Sequence, residues 1–277
     1  MKLYNQILAD LPDLETQLLN TSGRYQIGIA KEFSLLELIT GHLFNVCPYD
    51  FPQPTANIDL RHLFNPVRDQ GNEGSCTEFA GCALREALWN IKNGSLCAVL
   101  SPADLYWNAR DYPIITKWIE NQDTGATARR VISVLTNKGV CPETDMFYVP
   151  GQLLSVPPTV TAQLDQVKYK IGKTWRVVPY DVDMVLGVLG SGRPILITLT
   201  VWSSFESGGT NGLLTIPDTT KESYLGNHCM VVVGADLVKK QWIVRYSWGV
   251  NWGDQGYCYQ PFGYELFWLA GWSGEPS

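Results

Sequence analysis

Asn65-Pro66-Val67-Arg68-Asp69-Gln70-Gly71-Asn72-Glu73-Gly74-Ser75-Cys76-Thr77-Glu78-Phe79-Ala80 is the stretch whose reading decides the fold. Glycines at 71 and 74 let its first half fold into a tight loop. Its second half opens a helix. Ser75, followed three residues on by Glu78, has the form of a capping box, in which the hydroxyl serves a first-turn amide and the carboxylate reaches back. Phe79, Ala80, Ala83, Leu84, Ala87, Leu88 and Ile91 recur at helical spacing, and Asn93-Gly94 supplies a stop, so a helix is predicted over 75–93. Cys76 falls in its first turn, where backbone N–H groups converge and the helix dipole favours negative charge. That effect is worth about 0.3–1 kcal/mol at exposed sites, less than the roughly 1.4 kcal/mol that shifts an equilibrium tenfold. A neighbouring imidazolium has to complete any activation of the thiol. A cysteine at a helix start is more often structural than reactive, so its surroundings decide.

The bulk numbers fit a globular protein. The 277 residues are 45% hydrophobic and 17% charged, enough for one large core or two modest subdomains. A net charge of −6 and the lack of any Lys/Arg-rich run give no electrostatic reason to expect nucleic acid as a partner. No apolar stretch approaches the ~18 residues of a membrane span. The charged start MKLYNQILADLPDLETQLL lacks the apolar core of a signal peptide. The expected location is the cytoplasm, or a host cell into which the protein is delivered. Seven cysteines, with no Cys-x-x-Cys pair, suggest neither a zinc ribbon nor a disulfide framework. The three histidines are His42, His62 and His228, so any Cys–His chemistry must use one of these.

Residues 1–56 read as a leader. Leu3, Ile7, Leu8, Leu11, Leu14 and Leu18 recur at helical spacing, and Phe33 to Phe44 suggests a second short helix. The stretch Pro48 to Pro54 then resembles a linker. The leader is either a helical arm packed on the domain or an inhibitory propeptide. After the 75–93 helix, others are predicted from Ser101 to Arg110 and from Ala126 to Lys138. Beyond Pro158 the character changes to short β-rich runs at 175–180, 194–201, 229–235 and 241–246, with one helix at 181–189. A helical part over 57–158 and a strand-rich part over 159–270 make an α+β chain, with 271–277 as a tail.

The Asn65–Cys76 segment resembles the active-site segment of papain-like cysteine peptidases. In that family a Gln six residues before the nucleophile donates, with the Cys backbone N–H, to the oxyanion, and Gln70 stands at that offset. Plant and lysosomal members read C-G-S-C-W here; this chain has Glu73 in place of the first cysteine and Thr77 in place of the aromatic. The Gly74-Ser75-Cys76-Thr77 run is similar to a bacterial and viral branch of the family.

Gly226-Asn227-His228-Cys229-Met230-Val231-Val232-Val233-Gly234 looks like the family's histidine strand, 152 residues after Cys76. If the following hairpin turned at Leu237, residue 246 would lie opposite His228 and flank its imidazole. The family carries Asn there, in N-S-W-G, to orient the imidazole; this chain has Tyr246-Ser247-Trp248-Gly249. The resemblance further implies that Trp248 shields the Cys–His pair and that Trp252 borders the leaving-group side. Asp123-Thr124-Gly125 looks like the loop that pairs with substrate backbone, and equally like an N-cap loop. Cys229, Trp202 and Phe205 are candidates for pocket walls.

The resemblance covers roughly residues 57–270 and implies a papain-like two-subdomain fold. A helical half and an antiparallel, β-barrel-like half would flank a cleft that holds the site. The implied activity is peptide-bond hydrolysis, with Cys76 as nucleophile, His228 as base and acid, and Gln70 in the oxyanion hole. The substrate is a peptide or protein, and no metal or cofactor is implied. The departures at Tyr246 and Glu73 keep two other readings open. One is a papain-fold protein that binds a partner with little catalysis; the other is a Cys–His isopeptidase or transferase.

Overall fold

The computed structural model describes residues 46–110, 123, 125–152 and 156–276. The helices expected in the first 45 residues lie outside the described residues.

Helix α1 (Cys76–Asn93) runs through the middle of the fold. It is buried nearly all round, including Cys76, Phe79, Ala80, Ala83, Leu84, Ala87 and Leu88, as expected of a helix enclosed by other layers. On one side lie α2 (Pro102–Arg110) and α3 (Ala128–Asn137), and on the other the sheet. Local chemistry sets three later helix starts. Thr127 accepts from the Arg130 amide at α3, Thr159 from the Ala162 amide at α4 (Val160–Gln166), and Asp181 from the Met184 amide at α5 (Val182–Gly190).

The expected capping box at α1 does not form. Ser75 has φ −101° and ψ 17°, outside the extended conformation of an N-cap, and its side chain caps nothing. Its hydroxyl bonds instead to the Tyr148 hydroxyl at 2.7 Å, while Glu78 turns inward and is fully buried.

The strands are β1 (Ile58–Asp59), β2 (Thr174–Val177), β3 (Ile195–Trp202), β4 (Tyr224–Asp236), β5 (Gln241–Arg245), β6 (Tyr257–Pro261) and β7 (Trp268–Gly274). They form one antiparallel sheet in the order β2-β7-β3-β4-β5-β6, with β1 added to β4. The sheet stays open, since β2 and β6 at its two ends do not pair with each other. The fold is α+β, a helical half against a strand half. Strand β4 is the axis of the sheet and packs on α1.

One expectation needs correction. The β4–β5 turn is not centred on Leu237. Asp236 pairs with Gln241 and Val232 with Val244, and a bulge between Val232 and Gly234 shifts the register. Continued beyond Val231↔Arg245, this register sets 246 opposite 230 and 228 opposite 248. Tyr246 therefore reaches His228 as a diagonal neighbour on the same face. The 48–54 stretch is largely exposed, and it and the adjoining Cys47 make contacts with the rest of the fold. The Cys47 amide donates to the Arg176 carbonyl at 2.9 Å, Tyr49 meets Trp175 edge-on, and Phe51 lies against Gly187 of α5.

The close approach of β1 to β4 depends on Gly234, where an added Cβ would sit 2.2 Å from the Ile58 carbonyl oxygen. Gly234→Ala should detach β1 or distort the bulge and cost about 1–3 kcal/mol, as overpacking commonly does. Urea unfolding measures this as a lower midpoint; an unchanged midpoint would show that β1 contributes little to the fold.

Candidate active site

Cys76 is fully buried at the first turn of α1, with its Sγ 3.8 Å from the Thr77 hydroxyl. The preceding loop is held by partners on both sides. Ser247 supplies two bonds to Gln70: its carbonyl accepts from the Gln70 amide at 2.8 Å, and its hydroxyl donates to Gln70 Oε1 at 2.6 Å. Gln70 Nε2 donates to the Glu73 carbonyl at 2.8 Å, which fixes the orientation of the side-chain amide because a carbonyl can only accept. One Nε2 hydrogen remains for another acceptor.

Gly74 allows the next contact. A Cβ there would lie 2.7 Å from Asp123 Oδ1 and 3.3 Å from the Gly125 amide nitrogen. Its N–H donates to Asp123 Oδ2 at 2.6 Å, and the Tyr106 hydroxyl donates to Oδ1 of the same carboxylate. Asp123 is thereby held against the start of the cysteine helix. Glu73 accepts from the Gly151 amide; burial, and next the nearby Asp123 carboxylate, push its carboxyl up.

His228 is fully buried on β4, and neither ring nitrogen has a hydrogen-bond partner among the described residues. The ring is caged instead. Tyr246 stacks on it with centroids 4.6 Å apart and planes 25° from parallel, and Trp248 lies 5.4 Å away at 50°. Trp252 stacks on Tyr246 at 4.4 Å, and Phe205 stacks on Trp252 at 5.6 Å. The Tyr246 hydroxyl has no hydrogen-bond partner among the described residues either. Burial pushes the phenol well up, and the nearby Cys258 thiol, then that of Cys76, add to that effect. Burial pushes His228 down to about 3, which favours neutral imidazole at pH 7.

Other sequence candidates fall elsewhere. Cys229 is buried and borders a small internal void with Phe79, Ala80 and Ala83 of α1. Trp202 packs on Tyr224. His62 is exposed on the turn Arg61–Leu63, and His42 lies outside the described residues. All seven cysteines are buried, and none is in a disulfide among the described residues. Burial pushes the thiols of Cys82, Cys97, Cys141 and Cys258 up, leaving them poor nucleophiles. Sequence reasoning missed Ser247 as the clamp on Gln70 and Glu78 as a buried acid. Nothing local signals either, because each depends on a distant partner or on enclosure.

An open antiparallel sheet thus packs against a central helix that starts at a buried thiol, and a caged imidazole lies on the sheet. A family model for the papain family cysteine proteases matches residues 54–263, and the chain belongs to that family. It is 29% identical over 212 residues to an uncharacterized peptidase C1-like protein of Acanthamoeba polyphaga mimivirus, covering 71% of this chain and 64% of that protein. Cysteine proteinase 3 of Entamoeba histolytica is 25% identical, over 84% of this chain and 74% of that one. Among solved structures, xylellain, a cysteine protease from Xylella fastidiosa, matches with a TM-score of 0.79 and 26% identity, covering 94% of this chain and 99% of that one.

Two buried ionisable groups give the site a pH signature. Glu78 makes no side-chain hydrogen bond among the described residues, and burial first, then the Asp123 charge, pushes it up to about 8. With its folded pKa raised above 4.5, the folded state holds the proton that the unfolded chain releases, so stability is lost as pH rises from about 4.5 through 8. His228 has the opposite sign of proton uptake. Its folded pKa lies below 6.5, so stability is lost as pH falls from about 6.5 towards 3. Glu78→Gln should therefore raise the melting temperature near pH 8 and change it little near pH 4.5, by roughly 2–4 °C for each kcal/mol regained. Thermal unfolding at the two pH values measures the difference; equal shifts at both would mean that packing, not ionisation, governs this position.

Proposed function

We propose that the protein is a peptidase that cleaves peptide bonds through a Cys76 thioester. The observation that carries this reading is the meeting of two motifs on segment 246–248: Ser247 clamps Gln70, while Tyr246 and Trp248 cage His228. Membership of the papain family and the likeness to xylellain support the same reaction class.

In this mechanism the Cys76 sulfur attacks the substrate carbonyl as its proton passes to His228. The free Nε2 hydrogen of Gln70 and the Cys76 backbone N–H stabilise the oxyanion. His228 then gives the proton to the leaving amine, and a water activated by the same imidazole releases the acid product. Because burial favours the neutral ring, His228 acts as a base during attack rather than standing as half of a resting ion pair. The substrate is a peptide or protein chain, with Gly125 beside the extended backbone and Trp252 on the leaving-group side. Residues 1–56 as an inhibitory leader remain part of this proposal. Incubation of the purified chain should then expose a new N-terminus near 48–57 that Cys76→Ala abolishes.

A second reading, a papain-fold binding protein with weak catalysis, draws on one observation: both His228 nitrogens lack a hydrogen-bond partner among the described residues. Labelling with an epoxysuccinyl cysteine-peptidase inhibitor separates the two. A Cys76-dependent covalent adduct is expected, and none at any pH from 4 to 9 would exclude the peptidase.

The same cage predicts how Tyr246 works. Its hydroxyl is unpartnered, so Tyr246→Phe should keep kcat/KM within about threefold, whereas Tyr246→Ala, which opens the cage, should lose far more; misplacement by about 1 Å can cost ~100-fold. A large loss in the Phe variant would show that the phenol oxygen, not the ring face, orients His228.

A further inference from the structure

Gln70 and Ser75 begin and end the turn that leads into the cysteine helix, and one side chain from outside that turn ties them together. The Tyr148 hydroxyl donates to the Gln70 carbonyl at 2.8 Å and lies 2.7 Å from the Ser75 hydroxyl. The direction of this chain is fixed. A carbonyl can only accept, so the single Tyr148 proton goes to Gln70, and Ser75 must donate to the Tyr148 oxygen. Burial pushes the phenol up, which keeps that proton in place.

Tyr148 is itself held firmly. Its ring meets Phe79 of α1 edge-on at 4.8 Å, and its amide donates to Glu143 Oε1 at 2.8 Å. Arg68 donates to the other Glu143 oxygen at 3.0 Å, and its guanidinium lies 5.2 Å above the Phe79 ring. Arg68, Glu143, Phe79 and Tyr148 thus form a closed brace around the turn. Within the turn the Gln70 side chain is held at both ends, by Ser247 and by the Glu73 carbonyl. The Gln70 backbone is held through its N–H by the Ser247 carbonyl, and the Tyr148 bond holds its other polar group, the carbonyl that lies on the side of the turn.

We propose that Tyr148 is a positioning residue for the oxyanion hole: its hydroxyl sets the distance between the Gln70 amide and the Cys76 N–H by bridging Gln70 to Ser75. It touches no reacting atom and acts through Gln70. The proposal rests on the peptidase reading above, in which Gln70 and the Cys76 N–H receive the oxyanion.

The test compares reactions that use the oxyanion hole with one that does not. Tyr148→Phe keeps the ring and its packing and removes only the bridge. Hydrolysis of a fluorogenic peptide amide should fall about tenfold or more in kcat with KM nearly unchanged, given that loss of a whole oxyanion donor costs ~10²–10³. Affinity for a peptide aldehyde, whose adduct places an oxyanion in the same hole, should fall in parallel. Alkylation of Cys76 by iodoacetamide, which forms no oxyanion, should stay within about twofold and thereby also report that the variant is folded. In a Gln70→Ala background the same Tyr148→Phe change should cost less than about threefold, because the group it positions is gone. Equal losses in hydrolysis and alkylation, no loss in hydrolysis, or full additivity with Gln70→Ala would overturn the proposal. A wild-type protein that hydrolyses no peptide would overturn both this inference and the reading beneath it.

Discussion

The seam between residues 66–70 and 245–249 is the constraint on which the rest of the structure depends. The Arg245 guanidinium donates to the Pro66 carbonyl at 2.9 Å, the Gly249 amide to the Arg68 carbonyl at 3.2 Å, and the Gln70 amide to the Ser247 carbonyl at 2.8 Å. The Ser247 hydroxyl adds its bond to the Gln70 side chain. A typical hydrogen bond contributes only about 0.5–1.5 kcal/mol net, but a buried group left without its partner costs about 1–3 kcal/mol. The seam therefore works as a unit. It joins the loop that precedes α1 to the segment that follows β5, and so ties the helical half to the strand half. Cys76 opens the helix in one half, and His228 lies on a strand of the other.

Once the halves are joined, enclosure governs the chemistry. Glu78 and His228 are driven by the same desolvation in opposite directions, the acid up and the base down, so both favour their neutral forms at pH 7. A charge created alone in such a place is expensive, whereas opposite charges created together offset each other. A sulfur attack that delivers its proton to His228 as the oxyanion meets Gln70 suits that environment. A permanent ion pair would need hydrogen bonds that the imidazole does not make among the described residues.

The parts legible in the sequence were those set by short-range pattern. The stripe from Phe79 to Ile91 gave α1 to within a residue, and the Val/Ile-rich runs gave β3, β4 and β5. Spacing and motif together singled out Gln70, Cys76, His228 and Tyr246. What escaped depends on distant partners. The Ser75–Glu78 box was outcompeted by Tyr148, more than seventy residues away, and the β4–β5 register by a bulge that alternation alone does not reveal. Strands β6 and β7 went unread because their aromatics and glycines, Tyr257-Cys258-Tyr259 and Trp268 to Gly274, do not follow simple alternation.

Tyr246 shows why a missing orienting amide need not disable such a site. An orienting hydrogen bond does two things to an imidazole: it fixes the ring plane and it selects one tautomer. Stacking on Tyr246, with Trp248 tilted beside the ring, fixes the plane by shape. It does not choose between tautomers, nor between the two ring flips that share a plane. If these states are equal in energy, one productive arrangement in two to four costs only about twofold to fourfold in rate, under about 1 kcal/mol. A partner that holds the wrong tautomer is far worse; in serine-protease triads, replacing the orienting carboxylate by an amide drops kcat about 10⁴-fold for that reason. The Tyr246 hydroxyl makes no bond to either nitrogen, so it imposes no wrong choice. The aromatic box of Phe205, Trp248 and Trp252 accommodates the larger ring that an asparagine site would not need. Tyrosine at this position thus fits the proposed role of His228 as a base held by shape, with its proton state left to the thiol and the substrate.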